Sequence, residues 1–259
     1  MKNGVAAFYD NFDKKLIDDY VLGNPRIESA IKELGSFIKP SSTSILDIGC
    51  GIGWSSHEFA KTFASTKIYG IDLSPKLIER AKALFLRSNL EYHCVDITEN
   101  FSFDSKFDAV SLIDVYEHIP LNSREEFHAC LKLFLNDGSR VLLACPSKFH
   151  QNWLRANKPE GLQPVDEDVD FKTIQKLSSD IDCEVIFFSY KKIWKAYDYF
   201  YAVLERRPRY SSDGEITQQS PIVLESQAER YKRLGIPYSK KNREFKGYYF
   251  LKRLKNFFR

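Results

Sequence analysis

From Ile45 to Leu204, short apolar runs bounded by acidic or glycine-rich turns alternate with segments whose apolar residues recur at helical spacing. Ile45–Ile48, Lys67–Ile71, Glu91–Val95, Phe107–Ile113 and Arg140–Cys145 read as strands, and Cys183–Tyr190 and Ala196–Leu204 as a strand pair. Strands alternating with helices predict βαβ units and an open, doubly wound α/β sheet. Ahead of the first strand, Val5 to Lys39 reads as two helical segments broken near Gly23-Asn24-Pro25, the second carrying Ile27, Ile31, Leu34 and Ile38 at helical spacing. Phe171 to Asp180 reads as a late helix with Asp170 as its N-cap. A surface loop is expected over Ser211 to Ser220, then a helix from Pro221 to Leu234 stopped by Gly235.

The richest stretch is Ile45-Leu46-Asp47-Ile48-Gly49-Cys50-Gly51-Ile52-Gly53, a strand running into three glycines and then a helical segment from Trp54. Such a turn is a nucleotide site. A phosphate-binding loop needs a lysine, yet no Lys or Arg lies between Ile45 and Ala60. A dinucleotide fingerprint needs a third glycine where Trp54 or Ser56 stands. Asp-x-Gly-x-Gly-x-Gly remains, and suits S-adenosylmethionine (SAM), whose sulfonium, ammonium and carboxylate sum to about +1. Asp47 favours a cation and would repel a pyrophosphate. Asp72 ends the second strand, where a doubly wound fold grips ribose hydroxyls, and Asp96 and Asp114 end the third and fourth. Ser74-Pro75 supplies a helix cap and first-turn proline. Helix caps or surface charges are the plainer uses of Asp72 and Asp96.

With ILDIGCGIG, IYGIDLSP and FDAVSLIDVYEHIP in order and at the right spacing, Phe8 to Glu205 resembles the class I SAM-dependent methyltransferases. The resemblance implies a seven-stranded, mostly parallel sheet with one antiparallel strand, under N-terminal helices that cover the cofactor. It implies that Gly49, Gly51 and Gly53 flank the methionine part of SAM. Asp72 with Leu73 would hold the ribose, Asp96 and the backbone of Ile97 the adenine, and the Asp114 segment would run under the sulfonium. The product would be S-adenosylhomocysteine. Phe8 and Tyr9 would face the active site or pack in the core.

With 259 residues, a core domain plus an appendage is expected. The division expected is 1–40 for an N-terminal cap, 41–205 for the core and 206–259 for a basic helical extension. That extension holds fourteen Lys and Arg against five Asp and Glu, while the remainder is net acidic. No apolar run is long enough to span a bilayer, and no signal peptide is apparent. Five cysteines without C-x-x-C spacing read as small buried residues in a reducing cytoplasm.

Methyl transfer is an in-line displacement, so alignment is the main task, with deprotonation added for a hydroxyl acceptor. His118, in Asp114-Val115-Tyr116-Glu117-His118, and His150, after the fifth strand, are the candidate bases. The plainer uses are loop shaping for Glu117 and His118 and a solvated loop position for His150. A divalent metal at Asp114-x-x-Glu117-His118 is an alternative outside the main assignment, suited to Zn, Mn or Fe. The acidic run Asp166-Glu167-Asp168-Val169-Asp170 is either solvated surface or a site for an amine or metal. Tyr197, Tyr199, Tyr201 and Asp198 divide between core and pocket.

The fourth strand lacks the Asn/Asp-Pro-Pro-Tyr/Phe motif of amino-methylating nucleic-acid enzymes, and Cys145-Pro146 does not match cytosine-C5 chemistry. The tail from Glu244 to Arg259 reads as a basic amphipathic helix suited to an anionic membrane, to the domain itself or to a second subunit. The expectation is O-methylation of a small molecule or glycan at a hydroxyl or carboxylate. The protein would be cytoplasmic or peripheral at the inner face of a membrane. A non-catalytic SAM-fold scaffold and an RNA-directed methyltransferase are the alternatives.

Overall fold

The structure is a computed structural model that describes residues 12–97, 103, 105–210 and 219–238. Seven strands form one sheet: β1 (Ser44–Ile48), β2 (Lys67–Asp72), β3 (Leu90–Cys94), β4 (Phe107–Ile113), β5 (Leu135–Pro146), β6 (Cys183–Lys191) and β7 (Tyr199–Arg206). Their order is β3-β2-β1-β4-β5-β7-β6, and β7 alone runs antiparallel to its neighbours. The chain reverses direction between β3 and β4, so the carboxyl ends of β1 and β4 meet at a switch point where open sheets bind ligands.

Apolar residues on both faces of the central strands explain their burial, since helices cover the sheet on each side. One layer holds α1 (Asp13–Leu22), α2 (Pro25–Gly35), α3 (Trp54–Thr62) and α4 (Pro75–Leu84), packed on Ile45, Ala109, Leu142 and Tyr201. The other holds α5 (Arg124–Leu133) and α7 (Phe171–Asp180), packed on Leu46, Val110, Leu143 and Phe200. Between them in sequence, α6 (Lys148–Asn157) starts at a Ser147 cap. Ser74 caps α4 with the expected proline in the first turn, and Asn24 with Pro25 does the same for α2. Asp170 and Thr173 form the capping box of α7.

Three expectations need correction. Residues 221–226 are not helical, and the last described helix is the shorter α8 (Gln227–Arg233). Ile222 is buried while Val223 is 81% exposed, an alternation that suits extended chain. The Ser226–Glu229 capping box marks where the helix begins. The last strand starts at Tyr199 rather than Ala196, because Asp198 ties residues 193–195 into a turn. Cys94, read as buried, is exposed, because β3 is an edge strand. Phe8, Tyr9, most of the Ser211–Ser220 loop and the tail from Glu244 lie outside the described residues. Among the described residues, no helix is long and apolar enough to cross a membrane.

Residues 219–238 strap the helical layer together. Gln219 N donates to Ser36 O, and Glu225 N donates to Glu58 Oε1 at 2.9 Å. Glu225 accepts from Tyr20 Oη at 2.6 Å, stands 3.1 Å from His57 Nε2 and pairs with Arg233. Arg230 donates to Tyr20 O at 3.0 Å and to Glu28 at 2.6 Å, and covers the Trp54 ring at 4.7 Å. Burial opposes the charge of Glu225, but His57, Arg233 and Tyr20 outweigh it and hold the carboxyl well below its ordinary value of 4.5. A depressed native value contributes stability above the unfolded value and loses it as the pH falls.

Glu225→Gln should therefore cost about 1–3 kcal/mol at neutral pH, read as a lower urea midpoint with unchanged slope. The gap between wild type and variant should shrink below the ordinary carboxylate value. An equal midpoint at pH 7 would show that the strap does not depend on this carboxylate.

Candidate active site

The loop after β1 brings Gly49, Gly51 and Gly53 into the left-handed region, at φ +67°, +56° and +86°. Side chains are also excluded by space at two of these positions. A Cβ on Gly49 would lie 2.4 Å from Val115 Cγ2, and one on Gly53 would lie 2.4 Å from Tyr92 Oη. Cys50 N donates to Ile71 O at 2.9 Å, pinning the loop against the end of β2. Gly51 N donates to Asp72 Oδ2 and Ser74 N to Asp72 Oδ1, both at 2.9 Å. The carboxylate of Asp72 is thus fixed beside the glycine loop. Each of its oxygens accepts one of these backbone bonds.

Asp47 lies beneath the loop, 1% exposed, with Oδ2 accepting from Ser55 and Ser56 at 2.6 Å each. Burial raises its carboxyl to about 6, against the pull of Ser55, Ser56 and Ser111. It braces the first turn of α3 and acts on the loop from below. Leu73 and Asp96, each half-buried, follow β2 and β3, and Val95 N donates to Asp72 O at 2.9 Å. Ile97 is half-buried just beyond, so the expected ribose and adenine residues share one edge of the sheet.

At the end of β4, Asp114 adopts φ +56° although it is not glycine, and its N donates to Ala144 O at 2.8 Å. Its Oδ2 accepts from Arg26 Nη1, with side-chain exposures of 12% and 18%. Burial raises the Asp114 carboxyl, opposed first by Arg26 and then by His118. The Arg26 guanidinium lies 6.0 Å from the centre of the Tyr199 ring. Oδ1 of Asp114 is buried with no hydrogen-bond partner among the described residues.

Glu117 is 1% exposed, and burial pushes its carboxyl to about 7, with His118 opposing and Asp114 reinforcing the rise. His118 Nδ1 lies 2.7 Å from Val165 O, so that nitrogen carries the proton. Nε2 lies 3.7 Å from Glu117 Oε1. His150 lies in the first turn of α6 with its ring 6.1 Å from Tyr199, and burial lowers its pKa, which favours the neutral form. His118 and His150 therefore border one cluster, His118 through Asp114 and His150 through Tyr199.

Three carboxylates of the acidic run, those of Asp166, Asp168 and Asp170, are committed to protein donors. Asp166 accepts from Gln151 Nε2 at 3.0 Å and Gln163 N at 2.9 Å, Asp168 pairs with Arg155, and Asp170 caps α7. Among the described residues, no group of three His, Cys, Asp or Glu could hold a metal ion. Tyr199 belongs to the cluster, Tyr201 is buried, and Tyr197 is 60% exposed.

Arg26 and Gln151 were missed in the sequence. A cation in the first turn of a helix opposes the helix dipole, and Asn24-Pro25-Arg26 carried that signal. Gln151 offered none. A groove between α2 and the late strap, lined by Gly23, Glu28, Ile222 and Arg230, shares no lining residue with this cluster.

A family model described as "Methyltransferase domain" matches residues 45–138. The chain is 30% identical over 96 residues to a malonyl-[acyl-carrier protein] O-methyltransferase of Acetivibrio thermocellus, covering 37% of this chain and 34% of the relative. It is 29% identical over 113 residues to a ubiquinone biosynthesis O-methyltransferase of Erwinia tasmaniensis, covering 43% of this chain and 46% of the relative. The matched region thus spans less than half the length of these curated relatives. In fold, the chain resembles a TehB-like SAM-dependent methyltransferase of Corynebacterium glutamicum, with TM-score 0.59, 18% identity, and coverage of 77% of this chain and 98% of the other. A DhpI–SAH complex gives TM-score 0.58 at 15% identity, covering 81% and 98%. Residues 45–138 are a methyltransferase domain, set in the fold of the class I SAM-dependent methyltransferases.

Proposed function

We propose that this chain transfers the methyl group of SAM to an oxygen of a small molecule or glycan, a hydroxyl or carboxylate, met in the cytoplasm. The observation that carries the reading is Asp72, fixed by Gly51 N and Ser74 N against a loop whose glycines leave no room for side chains at Gly49 and Gly53. Oxygen as the acceptor atom is favoured by the curated relatives named above. When bound, SAM supplies an electrophilic methyl on a sulfonium leaving group.

The chain's own residues supply the rest. The loop from Gly49 to Gly53 accommodates the methionine part, and Asp72 with Leu73 holds the ribose. Asp96 and Ile97 meet the adenine. Arg26 is a buried cation at the switch point, suited to a carboxylate, and Asp114 beside it is suited to an ammonium. His118, with Nδ1–H held by Val165 O, takes the acceptor proton at Nε2. Glu117 steadies the imidazolium that results.

His118→Ala should lower kcat by about 10²–10⁴ on a hydroxyl acceptor and leave S-adenosylhomocysteine affinity within about twofold. An unchanged kcat would remove the base role. Asp72→Ala should weaken SAM binding by about 1.5–3 kcal/mol, on the order of 10- to 100-fold in Kd by calorimetry, with circular dichroism unchanged. Equal affinity would remove the ribose assignment.

A further inference from the structure

At the far end of the sheet, where α6 and α7 begin and β6 ends, four aromatic side chains stand in solvent. Phe149 lies in the first turn of α6, Phe171 opens α7, and Tyr190 and Tyr197 flank the turn between β6 and β7. Their exposures run from 36% at Tyr190 to 60% at Tyr197. The rings touch in one series. Between ring centres, Phe171 lies 5.1 Å from Phe188, Phe188 lies 5.3 Å from Tyr190, and Tyr190 lies 5.8 Å from Tyr197. Phe149 closes on Tyr190 at 5.8 Å and on Tyr197 at 6.3 Å. Beneath them Phe188 stacks on the core residue Phe200 at 5.0 Å, which roots the series in the sheet.

Tyr197 is held outward at a cost. It stands at φ +62°, a conformation kept by a residue with a Cβ only where its surroundings enforce it. Ser147 Oγ donates to Tyr197 O, and Ser147 N donates to Asp198 O at 2.9 Å. Lysines adjoin the rings. Lys172 follows Phe171, and Lys192 and Lys195 lie in the turn before Tyr197, all three exposed. Lys195 Nζ sits 3.8 Å over the ring of Trp153, which is four residues beyond Phe149 on one face of α6. Asp170, the carboxylate beside Phe171, is taken up by Lys148 Nζ at 3.2 Å and by Thr173 N at 3.1 Å. The exposed charge next to these rings in sequence is therefore basic.

We infer that this face docks on an anionic lipid bilayer. The inference goes beyond the methyl-transfer reading, does not depend on it, and concerns a surface other than the tail. A contiguous exposed apolar patch marks an interaction site. Aromatic rings with an apolar body and, in tyrosine, a polar tip suit the headgroup level of a bilayer, and lysines beside them suit anionic lipids. A second copy joined through the same face fits less well. A two-fold interface sets a patch against itself, so lysines would meet lysines. Docking would turn the carboxyl edge of the sheet toward the lipid, the edge at which β1 and β4 meet the glycine loop.

The test is flotation of the full-length protein on vesicles of phosphatidylcholine and phosphatidylglycerol (7:3) and on phosphatidylcholine alone, each at low and high salt. Wild type should float on the anionic vesicles, less so as salt rises, and about tenfold less on phosphatidylcholine. Two double variants of the full chain divide the surface. Phe149→Ser with Tyr197→Gly removes rings, and Lys172→Glu with Lys192→Glu reverses charge. Each should lower partition on the anionic vesicles by about tenfold, with circular dichroism and melting midpoint close to wild type. Glycine suits the left-handed backbone at position 197, so loss of flotation there would not reflect misfolding. No flotation of wild type, equal flotation on phosphatidylcholine alone, or equal flotation by both variants would overturn the inference. The last result would assign lipid binding to another surface. A dimer in sedimentation that Phe149→Ser with Tyr197→Gly abolishes, without flotation, would overturn it in favour of a second copy.

Discussion

The ion pair between Arg26 and Asp114 joins the two halves of the active-site region. Arg26 comes from the first turn of α2 in the helical cover, and Asp114 from the carboxyl end of β4 in the sheet. Neither charge has much access to water, so each depends on the other. Removing one partner of such a pair costs about 3–5 kcal/mol, because the other is left uncompensated. Asp114 meets this demand in a left-handed conformation that is rare without glycine. A strained carboxylate at the switch point is thus held by a cation from another layer.

The cover is therefore part of the site, and the strap makes it part of the fold. Tyr20 and Glu225 are 205 positions apart and share a 2.6 Å hydrogen bond. Arg230 closes the end of α1 through Tyr20 O and reaches α2 through Glu28. Leu16 of α1 in turn approaches the loop, since a Cβ on Gly51 would lie 3.4 Å from its Cδ1. Late residues thus tie the early helices beside the glycine turn.

Most of the sheet and the cofactor loop were legible in the sequence because their signals are local. Apolar runs, alternate glycines, Ser74-Pro75 and the acids ending each strand are all read within a few residues of one another. Arg26, Tyr199 and Gln151 were not singled out together because only tertiary packing gathers them. The strap was misread as a longer helix for a different reason. Its buried Ile222 and exposed Val223 sit in an alternation too short to outweigh the helical spacing further on, although the Ser226–Glu229 box was there to be read. Tyr197, Tyr199 and Tyr201 alternate like a strand, but Asp198, accepting three backbone bonds, ties the chain before Tyr199 into a turn that leaves Trp194 and Tyr197 exposed.

The central claim is that the turn from Asp47 to Gly53 selects the adenosyl sulfonium ligand and its product over phosphate-bearing nucleotides. Calorimetric titration of the full-length protein with S-adenosylhomocysteine, ATP and NAD under one buffer tests it directly. The account predicts saturable one-to-one binding of S-adenosylhomocysteine and none of ATP or NAD. Binding of either phosphate ligand with no binding of S-adenosylhomocysteine would contradict it.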